Sequence, residues 1–387
     1  MVKRRANNEG SIFQRPNGSW RAQVSIDGRR LSYTGQTQKQ CQTWLKETII
    51  QVDQGFTFEG SDTLLKDFLE DWLISVQSSR SKTTTALYIR TVNIEIIPIL
   101  GKTKLNDLNP GIIQRFYDYQ IKIGKSGHAV HTMHKILKVS LQHAVKLGMI
   151  IRNPCKVTTP PRPEKHEMKI YDENQIQIFL NTALSIKDQY YPLYYLAFHT
   201  GMRQSELIGL KWEDIDWERN TLQVRRQLLR HKGGGYEFSK PKSRSSNRKI
   251  LIGLRTMDVL KNHQETVIQK RKNAKENWTE LDLIFPTKVG TPIVSSNLRR
   301  GFRKVLNVSR LPKIRFHDLR HTAASMMLNY GISVLAVSRR LGHSKPSITL
   351  DVYGHLIPSK EEEAATLMDE LLTPIKAENC TIFAPNQ

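Results

Sequence analysis

The stretch LGHSKPSITLDVYGH, residues 341–355, sets His343 behind a glycine turn, Pro346 where a helix can open, and Tyr353 on the short helix that follows. A tyrosine so placed ordinarily fills a core, and His343 and His355 say little alone. What changes the reading is the order of reactive residues upstream. In HTGMRQSELIGLKWEDI (199–215), Gly201 ends one segment and Arg203 enters the first turn of the next, with Leu207 and Leu210 inward. A cation there opposes the helix macrodipole unless an anion sits close by. Glu206, three residues on, is spaced to hold it.

Between these stretches, TLQVRRQ (221–227) and GGGYEFSKPKSRSSNRKILIG (233–253) read as strands joined by turns. Lys240, Lys242, Arg244, Arg248 and Lys249 then lie at or near a hairpin, where cations suit a polyanion. RFHDLRHTAASMML (315–328) starts a helix near Asp318, with His317 and Arg320 within one turn. His317 and His321 also have H-x-x-x-H spacing, but the zinc motif proper is H-E-x-x-H. Here Asp318 takes the second position and Arg320 would oppose a dication, so no metal ligand is assigned.

Taken in order, an arginine, a hairpin lysine, H-x-x-R, G-H and a tyrosine supply a nucleophile with cations and donors around it. That inventory matches phosphoryl transfer to a protein nucleophile. Arginine forks bind the non-bridging oxygens of an attacked phosphodiester, and a tyrosine can carry the covalent intermediate. The leaving 5′ oxygen needs a proton, for which lysine is a suitable acid.

The segments TGMRQSEL, PKSRSSNRKI, HDLRHT and LGHSKPSITLDVYGH together resemble the tyrosine recombinases, or phage-type integrases, in family order. The resemblance implies that Arg203 and Arg320 clamp the scissile phosphate and that Lys242 protonates the leaving oxygen. It implies that His317 and His343 assist and that Tyr353 attacks to give a 3′-phosphotyrosyl intermediate. Lys240 is a rival for the lysine; Lys242 is preferred because it follows Pro241 ahead of SRSSNRKI, as in the family pattern. His355 receives no chemical role. Metal and cofactor are both expected to be dispensable, because a tyrosyl ester conserves the bond energy needed for rejoining.

The rest of the chain is consistent with that reading. Ser11–Gln14, Trp20–Ile26 and Arg30–Thr34 alternate and are separated by turn residues, predicting a three-stranded antiparallel sheet. A helix from near Thr37 covers one face with Trp44, Leu45, Ile49 and Val52. Arg15, Arg21, Arg29 and Arg30 are expected on the other face, as a DNA-binding surface. Helices are predicted at 62–77, Thr83–Ile97, Pro110–Ile123 and Val130–Leu147, and the prolines at 154, 160, 161 and 163 mark a linker. The fold class is therefore multidomain α+β. Residues 1–60 form a sheet plus helix resembling an arm-type DNA-binding domain, and 62–160 an all-helical core-binding domain. Residues 165–360 form a mostly helical catalytic domain with a small antiparallel sheet, and 361–387 a tail helix.

Charge follows these divisions. The 387 residues hold 59 Lys plus Arg against 36 Asp plus Glu, a net +23. Residues 161–360 carry 35 basic and 18 acidic residues, whereas 361–387 carry six acids and one lysine. Such a basic excess predicts a polyanionic partner, which the resemblance implies is double-stranded DNA at core and arm sites. The resemblance adds a homotetramer on DNA, with accessory DNA-bending or directionality proteins. No apolar run is long enough to span a bilayer, and Cys41, Cys155 and Cys380 lie too far apart for a zinc knuckle. An unprocessed cytoplasmic protein without membrane contact is the expectation. A type IB topoisomerase-like enzyme shares the chemistry but should act alone; the N-terminal domain and the tail favour a multimeric recombinase. A catalytically inactive DNA-binding regulator is the other alternative, and covalent protein–DNA adducts distinguish it.

Overall fold

The computed structural model describes residues 10–26, 29–53, 62–163, 168–230, 234–239, 244–354 and 361–372. They divide into two compact units, Met1–His166 and Glu167–Gln387.

In the first unit, β1 (Ser11–Gln14), β2 (Trp20–Ile26) and β3 (Arg29–Gly35) form an antiparallel sheet in that order. The turn after β1 is closed by Arg15 N–H donating to Ser19 O, with Gly18 at φ 81°. Helix α1 (Gln38–Asp53) begins where Thr37 Oγ1 accepts from Gln40 N–H, and it lies against all three strands. Ala22 and Val24 are buried with Cys41 of α1, and Tyr33 stacks on Trp44.

A helical bundle follows: α2 (Leu65–Gln77), α3 (Lys82–Thr91), α4 (Ile97–Leu100), α5 (Pro110–Lys122) and α6 (Gly127–Lys146). Ser81, Asn109 and Ser126 cap α3, α5 and α6 through their side chains. The helix expected over 83–97 runs unbroken through α3, a π-helical turn at Val92–Ile96, and α4. Pro98 has no N–H for a regular helix ladder, and the wider turn precedes it. Phe68, Trp72, Ile113, Phe116, Tyr117 and Leu137 are among the buried side chains of this bundle.

The second unit opens with α7 (Glu173–Ser185), whose Asp172 and Gln175 form a reciprocal capping box, then α8 (Tyr191–Thr200) and α9 (Gln204–Leu207). Next come β4 (Ile215–Asp216), β5 (Thr221–Val224), β6 (Gln227–Arg230), β7 (Tyr236–Ser239) and β8 (Arg248–Leu251). They make two antiparallel sheets, β4-β5-β8 and β6-β7. Helices α10 (Leu254–Ala274), α11 (Ser295–Ser309), α12 (Asp318–Asn329), α13 (Val334–Leu341), α14 (Pro346–Tyr353) and α15 (Glu361–Leu372) complete it.

The main core gathers Phe179, Tyr194, Leu222, Ile250, Phe302 and Phe316 among others. A smaller cluster joins Ala324, Leu328, Val337, Leu341 and Tyr353, and so locks α12, α13 and α14 together. By contrast α15 buries no residue. Among the described residues no helix is long and apolar enough to cross a membrane.

Candidate active site

A cleft of about 330 Å³ is lined by Arg203, His317, Arg320, His321, Gly342, His343, Ser344, Ile348, Val352 and Tyr353. Five residues expected to carry the chemistry, Arg203, His317, Arg320, His343 and Tyr353, thus meet in one place although 150 positions separate the first from the last.

Backbone geometry explains the glycines that flank them. Gly201 ends α8 in the left-handed region at φ 64°, and a Cβ there would come 2.5 Å from Leu341 Cδ2. The tight approach lets Arg320 Nη1 donate to Gly201 O at 2.7 Å. Gly342 ends α13 at φ 71°, and a Cβ there would come 2.8 Å from Arg248 Nη1. Its turn delivers His343, whose Nδ1 is hydrogen-bonded to Thr349 Oγ1 at 2.8 Å.

Arg203 stands just before α9 rather than within its first turn. Glu206 holds it as expected: the guanidinium Nη1 donates to Oε1 at 2.8 Å, and the backbone N–H donates to Oε2 at 3.0 Å. Buried Glu206 has a second cation, Arg248, whose Nη2 donates to Oε2 at 3.0 Å. Arg248 Nε also donates to Arg340 O at 2.6 Å. This corrects the grouping of Arg248 with the hairpin cations that suit a polyanion. It is a buried strut between β8, Glu206 and the end of α13, and only its partners in space could have revealed that.

The cleft holds more positive charge than it neutralises. Burial disfavours the charged form of Arg320, and the charges of Arg203 and Arg248 oppose it further, so its pKa falls to about 9 despite Glu206. Its Nη2 is buried without a hydrogen-bond partner among the described residues. His343 is pushed down to about 4 by burial and then by Arg320, Arg203 and Arg248. His317 is lowered by burial and by Arg320. Each shift would be relieved by an anion in the cleft, and the orphaned guanidinium nitrogen supplies a donor for one.

Tyr353 is 1% exposed, its ring in the small apolar cluster and its hydroxyl 2.7 Å from His321 Nδ1. Burial pushes the phenol up to about 12, against the pull of Arg320. The ring of this tyrosine therefore fills core, while its residue also lines the cleft beside the arginines and histidines.

The model of the phage integrase family matches residues 169–360, and that of the phage integrase N-terminal SAM-like domain matches 64–120. The XerC-like tyrosine recombinase of Caldanaerobacter subterraneus subsp. tengcongensis is 30% identical over 362 residues, covering 88% of this chain and 92% of that one. The chain belongs to the phage integrase family of tyrosine recombinases. Among solved structures of the fold, the Tn1549 transposon integrase in complex with a circular intermediate DNA aligns with TM-score 0.70 at 20% identity, over 80% of this chain and 100% of that one. A lambda integrase tetramer bound to a Holliday junction aligns with TM-score 0.55 at 19% identity, over 87% and 96%.

The sequence assigned further site residues to this tyrosine recombinase. Lys240 and Lys242, between β7 and β8, fall outside the described residues, and nothing is described of the Arg244 side chain. In the N-terminal sheet, Arg15 is exposed in the turn after β1. Arg21 pairs with Thr34, and Arg30 with Ser25, which places both arginines on the face opposite the buried Ala22 and Val24. Arg29 pairs with Ile26 at the start of β3, and nothing is described of its side chain. His321 was considered only as half of a metal pair; its proximity to Tyr353 arises from the packing of α14 on α12.

Proposed function

We propose that this recombinase breaks and rejoins DNA strands at specific sites through a 3′-phosphotyrosyl intermediate, integrating or excising a mobile element. The observation that carries the reading is the shared cleft: a buried tyrosine hydroxyl beside Arg203, Arg320, His317 and His343, with one Arg320 nitrogen lacking a partner. Arg203 and Arg320 hold the non-bridging oxygens of the scissile phosphate and stabilise their charge as the fifth bond to phosphorus forms. Tyr353 attacks, Lys242 protonates the departing 5′ oxygen, and His317 and His343 donate to the phosphoryl group. Because one phosphoester replaces another, rejoining needs no external energy source, and cleavage should persist in excess chelator.

Duplex DNA as partner is supported by the basic composition and by similarity to integrases solved on DNA. Assembly as a homotetramer is supported by the similarity to the lambda integrase tetramer and by the uncovered apolar side chains of α15. We assign residues 1–60 to arm sites, 62–160 to core-site binding and 165–360 to catalysis. Accessory bending or directionality proteins would act on that assembly.

Tyr353→Phe tests the chemistry. It removes one oxygen and leaves the DNA-facing charges, so site binding should be retained while covalent adducts on nicked suicide duplexes disappear. Normal adduct formation by that variant would remove Tyr353 from the mechanism.

A further inference from the structure

We propose that His321 is the group that takes the proton from Tyr353 as the tyrosine attacks, and so is a further catalytic residue of this enzyme. The inference rests on the reading of Tyr353 as the nucleophile. A buried phenol cannot attack phosphorus while it keeps its proton, since the product oxygen would carry three bonds, and bulk water is excluded from a hydroxyl whose residue is 1% exposed. The proton needs a local acceptor. The hydroxyl's hydrogen bond is to His321 Nδ1 at 2.7 Å, which is within the reach required of a general base. His317 stands edge-on to the His321 ring, with centroids 5.1 Å apart.

The surroundings keep His321 able to accept. Burial and then the neighbouring His317 lower its pKa to about 4, with Arg315 and Arg320 adding to this and Asp318 opposing it. His343 faces it from the turn before α14, and Tyr353 from α14 itself. At neutral pH the imidazole is therefore uncharged. With its proton on Nε2, the Nδ1 lone pair is available to the phenol. A resting phenol near 12 does not give its proton to such a base. The transfer becomes favourable only as the tyrosine oxygen bonds to phosphorus and acidifies. At the same moment the phosphodiester's negative charge offsets the arginines that depress His321.

The step balances without any co-reactant. The Oη–H bond of Tyr353 breaks and its proton moves to Nδ1 while Oη bonds phosphorus. The P–O5′ bond breaks and the 5′ oxygen takes a proton from Lys242. His321 is left as imidazolium, its Nδ1–H able to donate to the ester oxygen, and rejoining returns both protons. The charge gained at His321 is held beside Asp318.

The experiment uses the full chain and nicked duplexes selected from random-sequence DNA by covalent capture on the wild-type protein. Cleavage is followed in single turnover on these duplexes and on counterparts with sulfur in place of the bridging 5′ oxygen. A thiolate leaves without protonation, so sulfur relieves a missing acid but not a missing base. His321→Ala and His321→Asn should both slow cleavage by about 10²–10⁴-fold on oxygen and sulfur alike, with DNA affinity unchanged. Asparagine keeps an acceptor for the phenol but cannot take up a proton, and it decides the matter if the alanine variant does not fold. Lys242→Ala should be restored by sulfur. Wild-type rates in the asparagine variant would make His321 a mere holder of the ring, and faster cleavage in either variant would make it a latch. Rescue of either variant by sulfur would move its action to the leaving group. Each of these three results overturns the proposal. Failure of the wild-type protein to capture any duplex would instead overturn the recombinase chemistry itself.

Discussion

Glu206 is the one buried carboxylate hydrogen-bonded to both Arg203 and Arg248, and its titration should be visible in the protein's stability. Burial alone would raise its pKa. The charge of Arg248, with hydrogen bonds from Arg248 and from the Arg203 backbone, outweighs that and holds it below the usual 4.5. A carboxylate depressed by folding contributes stability that is complete above its unfolded pKa and is lost as pH falls through the folded one. The melting temperature of the wild type should therefore fall as pH drops below 4.5. Glu206→Gln should be less stable than wild type at neutral pH, and the gap should narrow in acid. A gap independent of pH would show that the carboxylate's charge does not stabilise the fold. The same substitution should slow cleavage, because Arg203 loses the anion that orients it.

Two elements carry predictions of their own. The first is β8, whose register sets Arg248 opposite Val224 and sends its guanidinium to Glu206 and Arg340 O. Breaking a buried ion pair on one side leaves a charge without its partner, at a cost of about 3–5 kcal/mol. Arg248→Met should shift urea unfolding by an amount of that order and reduce cleavage through Arg203 and the Gly342 turn. An unchanged unfolding midpoint would contradict the strut role. The second element is α15, with Glu361–Glu363 in its first turn and Leu367, Met368, Leu371 and Leu372 each more than half exposed. An apolar groove of about 670 Å³ in the same unit, lined by Ile176, Leu180, Phe198, Met326 and Met327 among others, is chemically suited to such a stripe. We expect α15 to occupy a neighbouring copy on DNA, tying the placement of Tyr353 to assembly. Truncation after Lys360 should lower cooperative DNA binding and recombination while cleavage of a single suicide site survives. Truncated protein that assembles and recombines like the full chain would refute this.

For the whole molecule, the net +23 makes salt dependence the main global expectation. The N-terminal sheet should bind DNA outside the crossover core through its open face. A fragment of residues 1–60 is the test: footprints only at the core, or no binding, would sink the arm-site assignment. In the full chain, Arg21→Ala and Arg30→Ala should each reduce the dependence of arm-site affinity on salt by about one phosphate contact. Much of this organisation was legible beforehand because it is local. Alternation, turn residues and caps set the three strands, α1 and most of the bundle, and the spacing of R, H-x-x-R, G-H and Y named five residues that line the cleft. A finer feature was not legible: the helix expected over 83–97 carries a π turn ahead of Pro98. What only the tertiary structure decided is which side chains face one another. Arg248 is indistinguishable in sequence from the exposed Lys249 beside it until β8 pairs with β5 and points it at Glu206. His321 is a surplus histidine until α14 packs on α12 and sets Tyr353 against it. Sequence order determines which chemical groups a segment offers; the charge and proton each group holds depend on burial and on neighbours many residues away, and those exist only once the chain is folded.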